Sequence, residues 1–172
     1  MAPMIFITGG ARSGKSRLAE ELALGYGAPL CYIATGRAGD GEMAERIACH
    51  RARRGPNWQT VEEPLDLAGA VAALDGQFNA LLVDCVTLWL TNLLLHRGES
   101  PRILDEVASL ASLAAGLKTP LILVSNEVGM GIVPDNALAR TFRDLAGEAN
   151  EILAKAADEV YVMFSGLPLK LK

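Results

Sequence analysis

A chain of 172 residues, 51% apolar, 5% aromatic and carrying a net charge of −4, has the size of a single domain that buries its own core. The acidic balance and scarce aromatics weigh against a nucleic-acid groove, which needs a basic surplus and stacking side chains. No uninterrupted apolar run reaches the ~18 residues of a bilayer-spanning helix, and residues 1–8 carry no basic leader segment, so a cytoplasmic protein that does not span a membrane is expected.

Residues 4–8, Met-Ile-Phe-Ile-Thr, form the first β-rich run and open directly into Gly9-Gly10-Ala11-Arg12-Ser13-Gly14-Lys15-Ser16. This is the G-x-x-x-x-G-K-S spacing of a phosphate-binding P-loop. The glycines let backbone N–H groups curl around phosphate oxygens, and the helix that follows aims its positive end at them. Lys15 would reach the β- and γ-phosphates and Ser16 the Mg²⁺. Leu18, Leu22 and Ala23 fall at helical spacing, which predicts a helix over 15–24 stopped by Gly25 and Gly27.

A second strand is expected at 30–34 and a glycine-rich loop at 36–41, followed by a helix over 41–54. Trp58, Thr60 and Glu62 alternate as in a short strand that could return one acid to the site, although an acid at the entry of the next helix, over 65–74, is an equal reading. Ala80-Leu81-Leu82-Val83-Asp84 has the form of a Walker B strand, an apolar run ending in an acid. Asp84 would support Mg²⁺ from a strand lying beside the P-loop strand. Helices are predicted over 87–96 and 102–117, with Ser100-Pro101 as a cap and first turn, and over 136–157 after Pro134-Asp135. Strands are predicted at 120–125 and 160–164. The alternation of strands with helices predicts one α/β domain over 1–172, a mostly parallel sheet with crossover helices. The loops at 36–41 and 129–134 would lie where ligands bind such sheets, and a polar acceptor could be gripped after Asn126-Glu127.

The segment over 42–54 carries a more specific pattern. In a helix, Arg46, His50, Arg53 and Arg54 follow i, i+4, i+7, i+8 and share one face. Neighbouring cations disfavour imidazolium, so His50 should stay neutral and nucleophilic. Arginines beside it could neutralise charge on a phosphate under attack. Direct phosphoryl transfer needs no such histidine, whereas two-step nucleotidyl transfer through a phosphoramidate would use one. His96, beside Arg97 at a helix end, reads as a surface residue. Cys31, Cys49 and Cys85 are odd in number and lack zinc spacing, so they read as reduced and structural.

Thr8 to Ser16, Tyr-Ile-Ala-Thr at 32–35, Glu-Met-Ala-x-Arg-Ile-x-x-His-Arg at 42–51, Trp-x-Thr-x-Glu at 58–62, Asn-Glu-Val-Gly-x-Gly-Ile-Val-Pro at 126–134 and Ala-x-x-Phe-Arg-Asp-x-Ala-Gly-x-x-Asn at 139–150 together resemble the bifunctional adenosylcobinamide kinase/adenosylcobinamide-phosphate guanylyltransferases of cobalamin biosynthesis. The resemblance runs end to end. It implies a RecA-like P-loop NTPase fold with helices on both faces. It also implies phosphorylation of adenosylcobinamide by ATP or GTP, followed by transfer of GMP from GTP through a guanylyl-histidine to give adenosylcobinamide-GDP. By position the guanylylated residue would be His50. Gly9, Gly10, Ala11, Arg12, Ser13, Gly14, Lys15, Ser16, Ala34, Thr35, Gly36, Arg51, Ala52, Arg53, Arg54, Glu62 and Asp84 would surround the GTP, Ser16 and Asp84 would hold Mg²⁺, and the assembly would be a trimer. No nucleic-acid partner is implied. Two other readings remain beside it: a small-metabolite P-loop kinase without a nucleotidyl step, and a nucleotide-driven switch or motor.

Overall fold

The computed structural model describes residues 1–36, 52, 54–98 and 100–172. In chain order it places β1 (Met4–Gly9), α1 (Lys15–Leu24), β2 (Leu30–Ala34), β3 (Trp58–Glu62), α2 (Leu67–Leu74), β4 (Ala80–Asp84), α3 (Val86–Arg97), α4 (Ser100–Ala114), β5 (Leu121–Val124), α5 (Ala137–Ala156), β6 (Glu159–Phe164) and β7 (Leu167–Lys170). The strands form one sheet in the order β3-β2-β4-β5-β1-β6-β7. Every pairing is parallel except that of β6 with β7.

The central strands are apolar and buried up to their carboxyl ends, where Thr8-Gly9 and Asp84 follow, because both faces of the sheet are covered. Successive side chains point to opposite faces, and the core divides accordingly. Met4 and Phe6 of β1, Leu81 and Val83 of β4, and Leu121 and Leu123 of β5 pack on one side with α2, α3, α4 and α5. Ile5 and Ile7, Ala80 and Leu82, and Ile122 and Val124 pack on the other, where α1 contributes Ala19 and Ala23. In α5 the i, i+4, i+8 set Leu145, Ala149 and Leu153 forms the buried stripe. Each fully buried leucine of this kind stabilises the fold by about 1.5–3 kcal/mol relative to exposure.

Element boundaries differ from the sequence expectation where side chains intercept the backbone. The helix expected from residue 65 starts at Leu67, because Glu63 Oε1 accepts the N–H groups of Leu65 and Asp66, and Asp66 then caps the helix by accepting from Gly69 N. Ser100 is itself helical rather than a cap. At the last helix Asn136, not Asp135, accepts from Ala139 N at 2.8 Å. The alternating run at 58–62 is indeed a strand, with Ala34 in register with both Glu62 and Asp84. Strand β7 is absent from the sequence reading: it is short, exposed, contains Pro168 and pairs with β6 alone, as an edge strand with proline must. Among the described residues no helix is long and apolar enough to cross a membrane.

Candidate active site

β1 delivers the chain to the P-loop at Gly9, whose φ is +146° and where an added Cβ would lie 2.6 Å from the carbonyl oxygen of Met163 on β6. Only glycine fits there. After the turn, Gly14 (φ +95°) caps α1, so the helix begins at Lys15 with its free N–H groups facing the carboxyl edge of the sheet. Lys15 is buried, and its ammonium donates to the carbonyl of Gly10 at 2.5 Å. Burial lowers the lysine pKa, and the nearby Asp84 carboxylate opposes that shift. Ser16 Oγ donates to Asp84 Oδ2 at 2.7 Å, which ties the start of α1 to the end of β4.

These groups open onto a cleft of about 690 Å³. Its walls are the P-loop and start of α1 from Arg12 to Arg17, Asp84 and Cys85 at the end of β4, Val124 and Asn126 at the end of β5, and Ser165 and Gly166 in the β6–β7 turn. The turn is fastened to the P-loop by Gly166 N donating to Ser13 O at 3.0 Å. A crevice at the carboxyl ends of parallel strands, with a helix N-terminus aimed into it, is suited to a polyphosphate.

Asp84 reaches this cleft by a route that differs from the sequence expectation. The strand that carries it does not lie beside the P-loop strand, because β5 is inserted between β1 and β4. The acid still reaches Ser16, since α1 crosses the sheet and contacts both β4 and β5. Thr35 then fixes the backbone that follows Asp84. Its hydroxyl donates to Cys85 O at 2.6 Å and accepts from Cys85 N at 2.9 Å, and the side chain is fully buried.

Tyr32 connects the same acid to the only described arginine of the histidine segment. The Arg54 guanidinium lies 3.5 Å over the Tyr32 ring, a cation–π contact, and Trp58 meets the ring edge-on. Burial raises the Tyr32 pKa, with the Asp84 carboxylate adding to it through charge and a hydrogen bond. Burial likewise pushes the thiols of Cys31 and Cys85 up to about 11, which makes both poor nucleophiles at neutral pH.

Of the residues that the sequence nominates, Arg12 to Ser16 and Asp84 line one cleft. Gly9 and Gly10 shape the loop beneath it, and Ala11 is exposed on it. Ala34 and Thr35 are buried, Gly36 is half-buried against Leu88, and Glu62 is exposed at the end of β3. Ala52 and Arg54 are helical. His50, Arg51 and Arg53 lie outside the described residues, as do Arg46, Cys49 and the loop from 37 onward. His96 is exposed in the last turn of α3. Sequence reasoning missed Cys85, Ser165 and Gly166 as cleft residues. The Ser-Gly dipeptide after an apolar run signals a turn, but not that the turn returns to the P-loop.

Comparison with known proteins settles the family to which this chain belongs. The profile of the cobinamide kinase/cobinamide phosphate guanyltransferase family matches residues 5–171. The chain belongs to this family. The bifunctional adenosylcobalamin biosynthesis protein CobP of Pseudomonas aeruginosa is 50% identical over 167 residues, covering 96% of this chain and 95% of the relative. The corresponding CobU of Salmonella typhimurium is 44% identical over 181 residues, covering 98% and 99%. Family membership makes the protein a bifunctional kinase and guanylyltransferase of cobalamin biosynthesis. Among solved structures, the flagellar accessory protein FlaH of Methanocaldococcus jannaschii is 16% identical at a TM-score of 0.55, covering 99% of this chain and 78% of that one. The RadB recombinase is 16% identical at 0.53, covering 94% and 74%. Both are similar in fold alone.

Proposed function

We propose that one P-loop cleft serves both reactions, first phosphorylating the side-chain hydroxyl of adenosylcobinamide and then guanylylating the resulting phosphate through His50. The observation that carries this reading is the convergence of Lys15, Ser16 and Asp84 on a single cleft, with Ser16 and Asp84 joined across it at 2.7 Å. In the kinase step the acceptor oxygen attacks the γ-phosphorus, the bond to the β-phosphate oxygen breaks, the nucleoside diphosphate departs and the hydroxyl proton is lost to solvent. Lys15 and the N–H groups at the start of α1 oppose the charge that builds on the phosphoryl oxygens. In the second reaction a ring nitrogen of His50 attacks the α-phosphorus of GTP and pyrophosphate leaves. An oxygen of the cobinamide phosphate then displaces the histidine, breaking the P–N bond and carrying GMP away.

Ser16 Oγ and Asp84 Oδ2 are two hard oxygen donors, the set that suits Mg²⁺ arriving on a nucleotide, whose remaining ligands are phosphate and water. Bound there, Mg²⁺ would supply charge neutralisation at the phosphates. Gly9 to Ser16, Ala34, Gly36, Arg51 to Arg54, Glu62 and Asp84 complete the proposed GTP site, with the buried Thr35 hydroxyl holding the Cys85 backbone behind Asp84 instead of touching nucleotide. Arg54, seated over Tyr32 beside Asp84, supports bringing that segment toward the cleft. A cytoplasmic, trimeric enzyme belongs to the same reading.

The test is intact-protein mass after incubation with GTP and Mg²⁺. The wild type should gain one GMP, and His50→Asn should gain none while still phosphorylating adenosylcobinamide. Protein-bound GMP on the His50→Asn variant would refute the assignment, and a wild type that never gains GMP while transferring γ-phosphate would favour direct phosphoryl transfer alone.

A further inference from the structure

Among the described residues Asn126 is the polar side chain that enters the cleft just past the end of β5, and both its backbone groups are anchored. β5 lies between the P-loop strand and the Asp84 strand, so a residue at its carboxyl end hangs between Lys15 and Asp84. The parallel register continues past the strand, with Ser125 N donating to Ile7 O and Glu127 N to Gly9 O, both at 2.9 Å. Alternation then decides orientation: Val124 and Asn126 face the cleft on the α1 side, while Ser125 points to the opposite face.

On that opposite face Ser125, Thr87 and Asn150 are buried polar groups amid an apolar core, and all three are spent on this segment. Ser125 Oγ donates to Asn150 Oδ1 at 2.6 Å and lies 3.4 Å from Thr87 Oγ1. Thr87 Oγ1 accepts from Asn126 N at 2.7 Å, and Asn150 Nδ2 donates to Asn126 O at 3.2 Å. Both backbone groups of Asn126 are therefore held from behind, by α3 and α5. Among the described residues its own amide Nδ2 has only a weak acceptor, Cys85 Sγ at 3.9 Å. A satisfied buried network that ends in a half-buried amide with donor capacity to spare, aimed into an anion cleft, is a preorganised hydrogen-bond donor.

Resting on the phosphoryl-transfer reading above, we infer that Asn126 is a catalytic residue of the kinase step: its side-chain amide donates to the γ-phosphoryl group of the bound triphosphate. Ser125, Thr87 and Asn150 are the positioning residues that aim it. The γ-phosphoryl is the group in reach because Lys15, Ser16 and Asp84 mark the β/γ end of the triphosphate, and Asn126 sits between them. The amide exchanges no proton. It stabilises charge on the phosphoryl oxygens as the bond to the leaving diphosphate breaks.

The experiment compares Mg²⁺-dependent binding of a non-hydrolysable GTP analogue and of GDP with steady-state phosphorylation of adenosylcobinamide, in wild type, Asn126→Ala, Asn126→Asp, Asn150→Ala and Ser125→Ala. Asn126→Ala should bind GDP as wild type does, lose about tenfold of the preference for the triphosphate, and lose roughly 10²-fold in kcat. Asn126→Asp should be worse than alanine in both, because a carboxylate then faces the phosphates. Asn150→Ala, or Ser125→Ala should the former not fold, should lower kcat by about tenfold with KM for the corrinoid unchanged, as expected of a residue that acts through another. Wild-type triphosphate preference and kcat in Asn126→Ala would overturn the inference, as would a rise confined to the corrinoid KM, which would put Asn126 on the acceptor. Failure of the kinase reading itself would show in the wild type as absence of phosphorylated corrinoid, whereas the triphosphate-to-diphosphate comparison reads Asn126 without any corrinoid present.

Discussion

Thr35→Val separates a nucleotide contact from a structural clamp. The sequence places Thr35 with Ala34 and Gly36 around the nucleotide, yet the structure spends its hydroxyl on the backbone of Cys85, through bonds of 2.6 and 2.9 Å at a site with no solvent exposure. Valine matches the shape and removes both bonds. Cys85 O keeps the helical bond from Trp89 N at 3.2 Å, but Cys85 N is left without its acceptor inside the core. Two bonds at about 1 kcal/mol each, with an added penalty for the orphaned N–H, give a loss of about 2–3 kcal/mol. For a domain of this size that lowers Tm by roughly 4–12 °C. Thr35→Ser, which keeps the oxygen, should recover most of it. Urea unfolding with the wild-type m-value measures the loss, and nucleotide titration of the folded variant should give a Kd within about threefold of wild type, under ~0.7 kcal/mol. An unfolding midpoint equal to wild type, combined with a tenfold or greater loss of nucleotide affinity, would refute the clamp.

Lys15→Met should abolish both transfers while stabilising the ligand-free protein, because burial disfavours the lysine charge in the folded state. The folded-state pKa is lowered, so the wild type regains stability as pH rises from that lowered value to the ordinary lysine value, and the variant's advantage in thermal midpoint should shrink over that window. A variant no more stable than wild type at neutral pH would contradict this. Asp84→Asn should raise the Mg²⁺ concentration needed for half-maximal phosphorylation more than it weakens nucleotide binding, since it alters the partner of Ser16 and leaves the P-loop intact. An unchanged Mg²⁺ titration would remove Asp84 from metal support.

The sequence by itself determined the elements whose information is local. The P-loop is legible from residue spacing alone because its chemistry is done by backbone N–H groups and two adjacent side chains, and the buried central strands announce themselves as apolar runs between helical periods. Strand β3 could be read from the alternation of Trp58, Thr60 and Glu62. Tertiary structure alone decided the order of the strands, since parallel pairing joins residues distant in the chain and each central strand is apolar on both faces, with nothing to distinguish one neighbour from another. That order placed β5 between β1 and β4, where it carries Asn126 into the cleft. It also turned Thr35 inward to Cys85 and returned Ser165-Gly166 to the P-loop from the far end of the chain. Strand β7 was illegible for a related reason: a four-residue exposed edge containing proline carries no periodicity, and only the partner β6 makes it a strand. Periodicity says which face of an element is buried, while long-range pairing alone says against what, and an active site assembled at the ends of several strands inherits that second kind of information.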